Sequence, residues 1–175
     1  MDLSIIPECY IDTNLIETLV PNKGYNHQKG CGTVTKVMKE RFSDSFALAI
    51  IDKDKKEVDY LNEFAELFNC NGVLYLYQHK SRPHYIIQIC PAIEKFILVS
   101  SKSAGVSLSD FNLPDDLDSL KKLSKTITSK NDSRFKNLFK ELSKSDVEEI
   151  RLLKAWIKYL RENKYNVDNS ILLNI

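Results

Sequence analysis

The chain has little of several features that would point to a specialised class of protein. Its 175 residues include four cysteines, Cys9, Cys31, Cys70 and Cys90, which lie far apart with no Cys-x-x-Cys spacing. Scattered cysteines exclude a zinc-finger pattern and the disulfide framework of a small secreted domain. The three histidines are dispersed as well, so a histidine-based metal site is not expected.

Long apolar runs and an excess of one charge are also missing. No stretch approaches the roughly 20 apolar residues that a membrane span needs, and the N-terminal segment MDLSIIPECY has no basic region before an apolar one. Lys and Arg number 25 against 24 Asp and Glu, a net charge of +1. This excludes a polybasic protein, so any contact with nucleic acid must come from a local patch. We expect a cytoplasmic protein with no membrane contact.

The signals that are present predict an α/β protein. Hydrophobic residues make up 43% of the chain, enough for a core. The apolar run FALAII, residues 46–51, predicts a central strand buried on both faces. Strand and helix signals alternate, which predicts a mostly parallel sheet flanked by helices. The predicted strands are 8–12, 46–51, 73–77 and 85–90, and the predicted helices between them are 14–20, 33–42 and 58–68.

The second part of the chain is helical in its spacing. Helices are predicted over 92–99, 113–127 and 133–142, with a last helix that opens on a capping box of Ser145 and Glu148. We therefore expect an α/β domain over residues 1–110 and a helical appendage over 111–175 packed on it. Trp156 lies on an apolar face of the last helix, and aromatic residues are enriched in interfaces. Residues 133–165 are thus a candidate surface for self-association or for a partner, with packing on the α/β domain as the alternative.

Carboxylates follow two of the predicted strands. Asp52 and Asp54 end the strand at 46–51, and Asp12 ends the strand at 8–12. Open α/β sheets bind ligands at the carboxyl ends of their strands, and neighbouring carboxylates are stable beside a hard cation such as Mg²⁺. The sequence therefore predicts a Mg²⁺ or Mn²⁺ site here, although Asp-Lys-Asp after a strand is also a common solvated turn.

A glycine-bearing segment, residues 27–32, precedes the helix predicted at 33–42. The start of a helix favours anions, and Gly30 and Gly32 allow a phosphate to approach the backbone. Lys29 and Lys53 would add positive charge near that phosphate. An ordinary loop and solvated surface lysines remain the alternatives.

In order along the chain, ECYIDTNLIETLV, NHQKGCGTVTKVM and FALAIIDKDK resemble the Toprim domain. The chain looks most like the small Toprim-like proteins of the OLD-nuclease and RloB type found in prokaryotic defence systems. Their later Pro-x-x-Glu is similar to the segment from Pro91 to Glu94. The resemblance covers roughly residues 5–100. It implies a Toprim-like sheet and metal-dependent cleavage of nucleic acid, in which the catalytic metal ligands are Asp12, Asp52, Asp54 and Glu94.

Two departures from the family pattern stand at its first motif. The family usually has Glu-Gly where this chain has Asp12-Thr13. It also often has a second acidic residue one helical turn later, for which Glu17 is the nearest match at a different spacing. A non-catalytic regulatory or assembly subunit with a degenerate site is therefore one alternative. A PIN-type ribonuclease is another, because YIDTNL also opens that family.

The resemblance also implies a partner. Nucleases of the OLD type work with an ATPase, fused or separate. This chain has no Gly-x-x-x-x-Gly-Lys motif, so an ATPase would have to be another polypeptide. We expect DNA or RNA, a separate ATPase subunit and further copies of this chain as candidate partners.

Overall fold

A computed structural model describes residues 2–53 and 58–175. Within them the chain forms a five-stranded mixed sheet in the order β1-β2-β5-β4-β3. Strands β1, β2 and β5 are parallel neighbours, whereas β4 runs antiparallel to both β5 and β3. The strands are β1 Ile5–Pro7, β2 Ala47–Asp52, β3 Phe64–Cys70, β4 Leu74–His79 and β5 His84–Ile89.

Helices flank this sheet on both faces, so the α/β class is confirmed. They are α1 Tyr10–Leu19, α2 Cys31–Arg41, α3 Ile93–Ser103, α4 Leu117–Ser124, α5 Ser133–Leu142, α6 Glu148–Asn163 and α7 Asn169–Leu173, with short 3-10 helices at Asp59–Glu63, Leu108–Phe111 and Ile127–Asn131. One apolar cluster joins the sheet to α1 and to α3 through α7, and a second joins it to α2. In the described part of the chain, no helix is long and apolar enough to cross a membrane.

The FALAII run forms an interior strand, as predicted. Strand β2 pairs with β1 on one side and with β5 on the other. Leu48 and Ile50 face one apolar cluster, while Ala49 and Ile51 face the other. Successive side chains of a strand point to opposite faces, so a strand covered by helices on both sides has to be apolar throughout.

The helix predicted at residues 58–68 is wrong. A 3-10 turn at Asp59–Glu63 leads instead into β3, which pairs with β4 as a hairpin. The residues from Asn71 to Val73 connect the two strands, and the Val73 N–H donates to the Cys70 carbonyl at 2.9 Å. The two central residues of this turn, Asn71 and Gly72, have φ values of 51° and 72°, and two positive φ angles are typical of hairpin turns. The Asn-Gly dipeptide therefore marks a hairpin here, and pairing with β4 overrides the helical spacing of the preceding apolar residues.

The first predicted strand and helix are displaced toward the N-terminus. Strand β1 ends at Pro7, and α1 already begins at Tyr10, so the predicted strand over 8–12 is wrong. Proline is tolerated at the rim of an edge strand because its missing N–H is not needed there. Cys9 then caps α1, with Asp12 in its first turn. Asp12 is consequently a helix residue, not a strand-end residue.

The C-terminal helices pack with the faces that the sequence predicts, but α6 starts differently. Ser145 donates its hydroxyl to the Leu142 carbonyl, and Val147 caps the helix without a side-chain hydrogen bond, so the predicted capping box does not form. Trp156 is fully buried and packs edge-on against Phe68 of β3 at 5.5 Å between ring centroids. The Trp156 face is therefore part of the chain's own core, which removes the basis for proposing it as a docking surface.

Candidate functional site

Acidic side chains converge at the carboxyl edge of the three parallel strands. Glu8 directly follows β1, and Asp52 is the last residue of β2. Glu94 lies in the first turn of α3, which follows β5, and Asp12 lies in the first turn of α1. Since β1, β2 and β5 are neighbours that end at the same edge, the topology brings these four residues toward one another.

Hydrogen bonds tie the three strand ends together. The Glu8 carboxylate accepts a bond from the Asp52 backbone N–H at 2.9 Å, which links β1 to β2. Asp52 Oδ1 in turn accepts a bond from the Ile93 N–H at 2.9 Å, which links β2 to the start of α3. Carboxylates are favoured near the N-terminus of a helix, where N–H groups lack partners within the helix. These bonds fix Glu8 and Asp52 side by side.

Asp12 is held by a reciprocal pair of bonds with Cys9. The Cys9 N–H donates to Asp12 Oδ2 at 3.1 Å, and the Asp12 N–H donates to the Cys9 sulfur at 3.4 Å. Asp12 is fully buried, and its Oδ1 has no hydrogen-bond partner among the described residues. An unpartnered buried carboxylate oxygen is costly for the folded state, so it is the atom here that most needs a ligand.

Glu94 is buried as well. Its Oε1 accepts a bond from the hydroxyl of Ser124, the last residue of α4. The helical part of the chain thus supplies one wall of the site, and Lys125 lies beside Ser124 on that wall. Site residues therefore come from both regions of the sequence.

Burial and the neighbouring carboxylates raise the pKa values of Asp12 and Asp52. Burial is the largest cause of the raised pKa of Asp12, to about 7, and Glu8 and Glu94 add to it. Burial likewise raises the pKa of Asp52, and the charges of Asp12, Glu8 and Glu94 raise it further. Burial and Asp12 together also raise the pKa of the Cys9 thiol far above its usual range, so this sulfur stays protonated. Such a cluster of acids is stable when its members share protons or a cation.

A pocket of about 350 Å³ opens over Glu8, Asp52 and Glu94, and the fully buried Asp12 lies outside its lining. Two lysines, Lys29 and Lys125, also line it. The rings of Tyr10 and His27 also line the pocket, and they stack on each other with 4.4 Å between their centroids. The volume is of the size that holds a small ligand or one unit of a polymer.

The structure brings together Asp12, Asp52 and Glu94 of the predicted metal ligands, whereas Asp54 lies outside the described residues. Among the predicted phosphate ligands, Lys29 and Gly30 line the pocket. Gly32 and Lys53 do not belong to it. Gly32 lines a separate groove on α2, and Lys53 places its ammonium 5.4 Å from the centre of the Tyr75 ring, since the chain leaves β2 in that direction.

Glu8 is the site residue that the sequence analysis missed. Pro7 gave the signal that would have found it, because proline at the end of an edge strand makes the next residue the strand-end acid. Asp12 then follows four residues later, which is one turn of α1.

Each carboxylate is turned toward a neutral donor of the chain. Within residues 2–53 and 58–175, no group of three or more His, Cys, Asp or Glu is arranged to hold a metal ion. The bonds from Cys9, Ile93 and Ser124 account for this, since each of them takes one carboxylate oxygen. The donor set itself consists of carboxylates, which suits hard divalent cations.

Comparisons with family models, with curated proteins and with solved structures gave no match. The chemistry of the site is therefore the basis for inferring a function.

Proposed function

We propose that the chain is a Mg²⁺- or Mn²⁺-dependent phosphodiesterase that acts on nucleic acid. The observation that carries the proposal is the unpartnered, fully buried Oδ1 of Asp12, which lies among three further acids at the carboxyl edge of the sheet. A divalent cation would satisfy that oxygen and would offset the repulsion that raises the pKa values of Asp12 and Asp52.

The residues fit such an ion by their chemistry. Glu8, Asp12, Asp52 and Glu94 offer carboxylate oxygens, the ligands that Mg²⁺ and Mn²⁺ prefer. Asp12, Asp52 and Glu94 each accept a hydrogen bond on one carboxylate oxygen, from a backbone N–H or from a hydroxyl. The other oxygen of each carboxylate has lone pairs that a ligand could use. When bound, the ion would polarise the phosphate and lower the pKa of a water.

The corrected helix boundary supports the resemblance to Toprim-like nucleases. With Glu8 as the strand-end acid and Asp12 one helical turn later, both acids of the family's first motif have a counterpart. Cys9 then replaces the usual glycine, and Asp12-Thr13 no longer stands in for Glu-Gly. Asp52 and Glu94 occupy the positions that the later motifs imply.

The chain's own groups would orient the substrate. Lys29 and Lys125 line the same pocket as Glu8, Asp52 and Glu94 and would bind the non-bridging phosphate oxygens. Without the ion, Asp12, whose pKa is raised to about 7, would hold a proton near neutral pH, and it would release that proton when the ion binds. Burial of the acids would exclude bulk water from the reacting phosphate.

The cellular role proposed with this activity is that of a nuclease effector in a defence system, working with a separate ATPase. The second candidate function is a regulatory or assembly subunit with a degenerate site. It is favoured by the absence, among the described residues, of a preformed metal-chelating group.

The test compares wild type with Asp52→Asn and Glu8→Gln. Hydrolysis of bis(p-nitrophenyl) phosphate and of a labelled oligonucleotide is measured with Mn²⁺ and with Mg²⁺, and metal binding by titration calorimetry. We expect both substitutions to abolish hydrolysis and to weaken metal binding. Glu66→Gln, an exposed substitution on β3, is the matched control that should retain both.

Undiminished hydrolysis by Asp52→Asn would refute the proposed site. Wild-type protein that neither binds the metal nor cleaves either substrate would favour the regulatory subunit.

A further inference from the structure

A second concave surface lies on the other side of the first turn of α2. This groove encloses about 510 Å³. Three cations of the groove come from two separate parts of the chain, Lys36 and Lys39 from α2 and Arg82 from the β4–β5 connection. The full lining is Gly32, Thr35, Lys36, Lys39, Glu40, Val58, Tyr60 and Arg82.

Arg82 is the residue that indicates a ligand. Its Nη1 is buried and has no hydrogen-bond partner among the described residues. Another part of the guanidinium hydrogen-bonds the Tyr60 side chain, and this bond and the Arg82 charge oppose the rise that burial causes in the pKa of Tyr60, so among residues 2–53 and 58–175 it is Nη1 that lacks a partner. Arginine binds phosphate through two parallel N–H bonds, and an unpartnered buried donor is costly. An anionic oxygen in the groove would satisfy it.

The two lysines are available to the same ligand. Lys36 is exposed and forms no ion pair within the described part of the chain. The Lys39 ammonium sits 5.2 Å from the centre of the Tyr60 ring and 3.7 Å from Glu63. The Lys39–Glu63 pair is about half exposed on both sides, so it is weak and exchangeable. Glu40 is the acidic residue of the lining.

The floor of the groove is held in one geometry. The Arg82 N–H and the Ser81 N–H both donate to Nδ1 of His79, at 3.1 Å each. The His79 proton is therefore on Nε2, which faces Glu63 at 3.1 Å. Tyr60 bonds to Nδ1 of His84 at 2.6 Å. Because these bonds fix the Tyr60 ring and the backbone at Arg82, a ligand would meet a partly preformed surface, which reduces the entropic cost of binding.

The groove and the carboxylate pocket meet the chain at neighbouring positions. Gly30 lines the pocket and Gly32 lines the groove, two residues apart at the start of α2. Lys29 also lines the pocket. From Gly32 to Lys39 the helix rises by about 10 Å, which is long enough for more than one backbone phosphate.

We propose that this groove binds the sugar–phosphate backbone of the nucleic-acid strand that flanks the phosphate held in the carboxylate pocket. The inference rests on the proposed function for the direction of the strand, but binding in the groove does not require cleavage. Positive side chains that contact the phosphates and not the bases give affinity without sequence preference.

The test removes the three cations with Lys36→Ala, Lys39→Ala and Arg82→Ala together. Binding of a labelled single-stranded oligothymidylate is measured by fluorescence anisotropy, without divalent metal, over a series of salt concentrations. For a single strand each lost phosphate contact reduces the salt slope by about 0.7, so the triple variant should lose about 2 and bind roughly tenfold or more weakly.

The matched control removes the same set of charges elsewhere. Arg151, Lys154 and Lys158 are one arginine and two lysines exposed on a single face of α6. Their replacement by alanine changes the net charge equally and should leave affinity within about twofold of wild type. Lys36→Ala with Lys39→Ala, both exposed, is the second variant if the Arg82 substitution disturbs folding. It should show about two thirds of the change in slope.

Hydrolysis of bis(p-nitrophenyl) phosphate with Mn²⁺ separates the two proposals. This small diester reaches the carboxylate pocket without the groove, so the groove variants should hydrolyse it at the wild-type rate. Absence of hydrolysis in all proteins would overturn the proposed function while leaving the binding result intact. An unchanged salt slope in both groove variants, or an equal loss of slope in the control variant, would refute binding of nucleic acid in the groove.

Discussion

Replacing Asp12 by asparagine should stabilise the metal-free protein at neutral and alkaline pH. Asparagine keeps the shape and the acceptor oxygen that binds the Cys9 N–H, but it removes the buried charge. The same substitution should abolish the gain in stability on adding Mg²⁺, because a ligand oxygen with a full negative charge is lost. Asp12 would then be a functional residue that lowers the stability of the metal-free protein.

The magnitude follows from the pKa of Asp12, which burial raises from its ordinary value of 3.8 to about 7. Below the unfolded pKa both states hold the proton. Between the two values only the folded state holds it, so the free energy of unfolding falls as the pH rises, and the full cost is present above about 7.

The pKa of Asp12 differs by about three between the folded and unfolded states, and each pKa unit corresponds to about 1.36 kcal/mol. The free-energy cost of the buried charge is therefore at most about 4 kcal/mol. Sharing of protons with Asp52, whose pKa is also raised, relieves part of that cost, so we expect a gain of about 2 kcal/mol in the variant. For a chain of this length that corresponds to a rise in Tm of roughly 4–8 °C.

The assay is thermal and urea unfolding in EDTA at about pH 5 and about pH 8. The gain should be largest at the higher pH and should shrink toward the lower one. Asp110→Asn, an exposed substitution, should change neither value by more than about 0.5 kcal/mol. A destabilised Asp12→Asn protein, or a gain that is equal at both pH values, would refute the assignment of a costly buried charge.

Further outcomes are expected from the rest of the structure. Mg²⁺ or Mn²⁺ at about 100 times its Kd should add about 2.7 kcal/mol to the wild type, and an equal gain in an Asp52→Ala, Asp54→Ala protein would place the metal elsewhere. Trp156→Ala should cost about 3–5 kcal/mol in urea unfolding because the side chain is fully buried; a loss below about 1 kcal/mol would contradict its place in the core. Asn14→Ala should cost about 1–3 kcal/mol, since Asn14 donates to two carbonyls that join α1 to the 3-10 helix Ile127–Asn131 and to the start of α5, and proteolysis near that segment should become faster. If unfolding and proteolysis were both unchanged, those bonds would not be holding the site wall.

Several features follow from the sequence because they depend on neighbours along the chain. The FALAII run determines an interior strand, since few other environments accept six successive apolar residues between charged turns. Helical spacing determines the buried faces of α5 and α6 in the same way. Asp52 at the end of β2 was predictable too, because the end of an apolar strand is a local signal, whereas Glu94 was named only through the resemblance of the segment from Pro91 to Glu94 to a Toprim motif.

The remaining features were decided by tertiary contacts. Residues 58–68 have helical spacing, yet residues 64–70 form β3 because the Asn-Gly turn places them against β4. Glu8 becomes a site residue only because β1 ends at Pro7 and lies beside β2. Arg82 reaches the groove on α2 from a hairpin more than 40 residues away in sequence. Pairing and packing energies are non-local, so periodicity within a short window does not contain them.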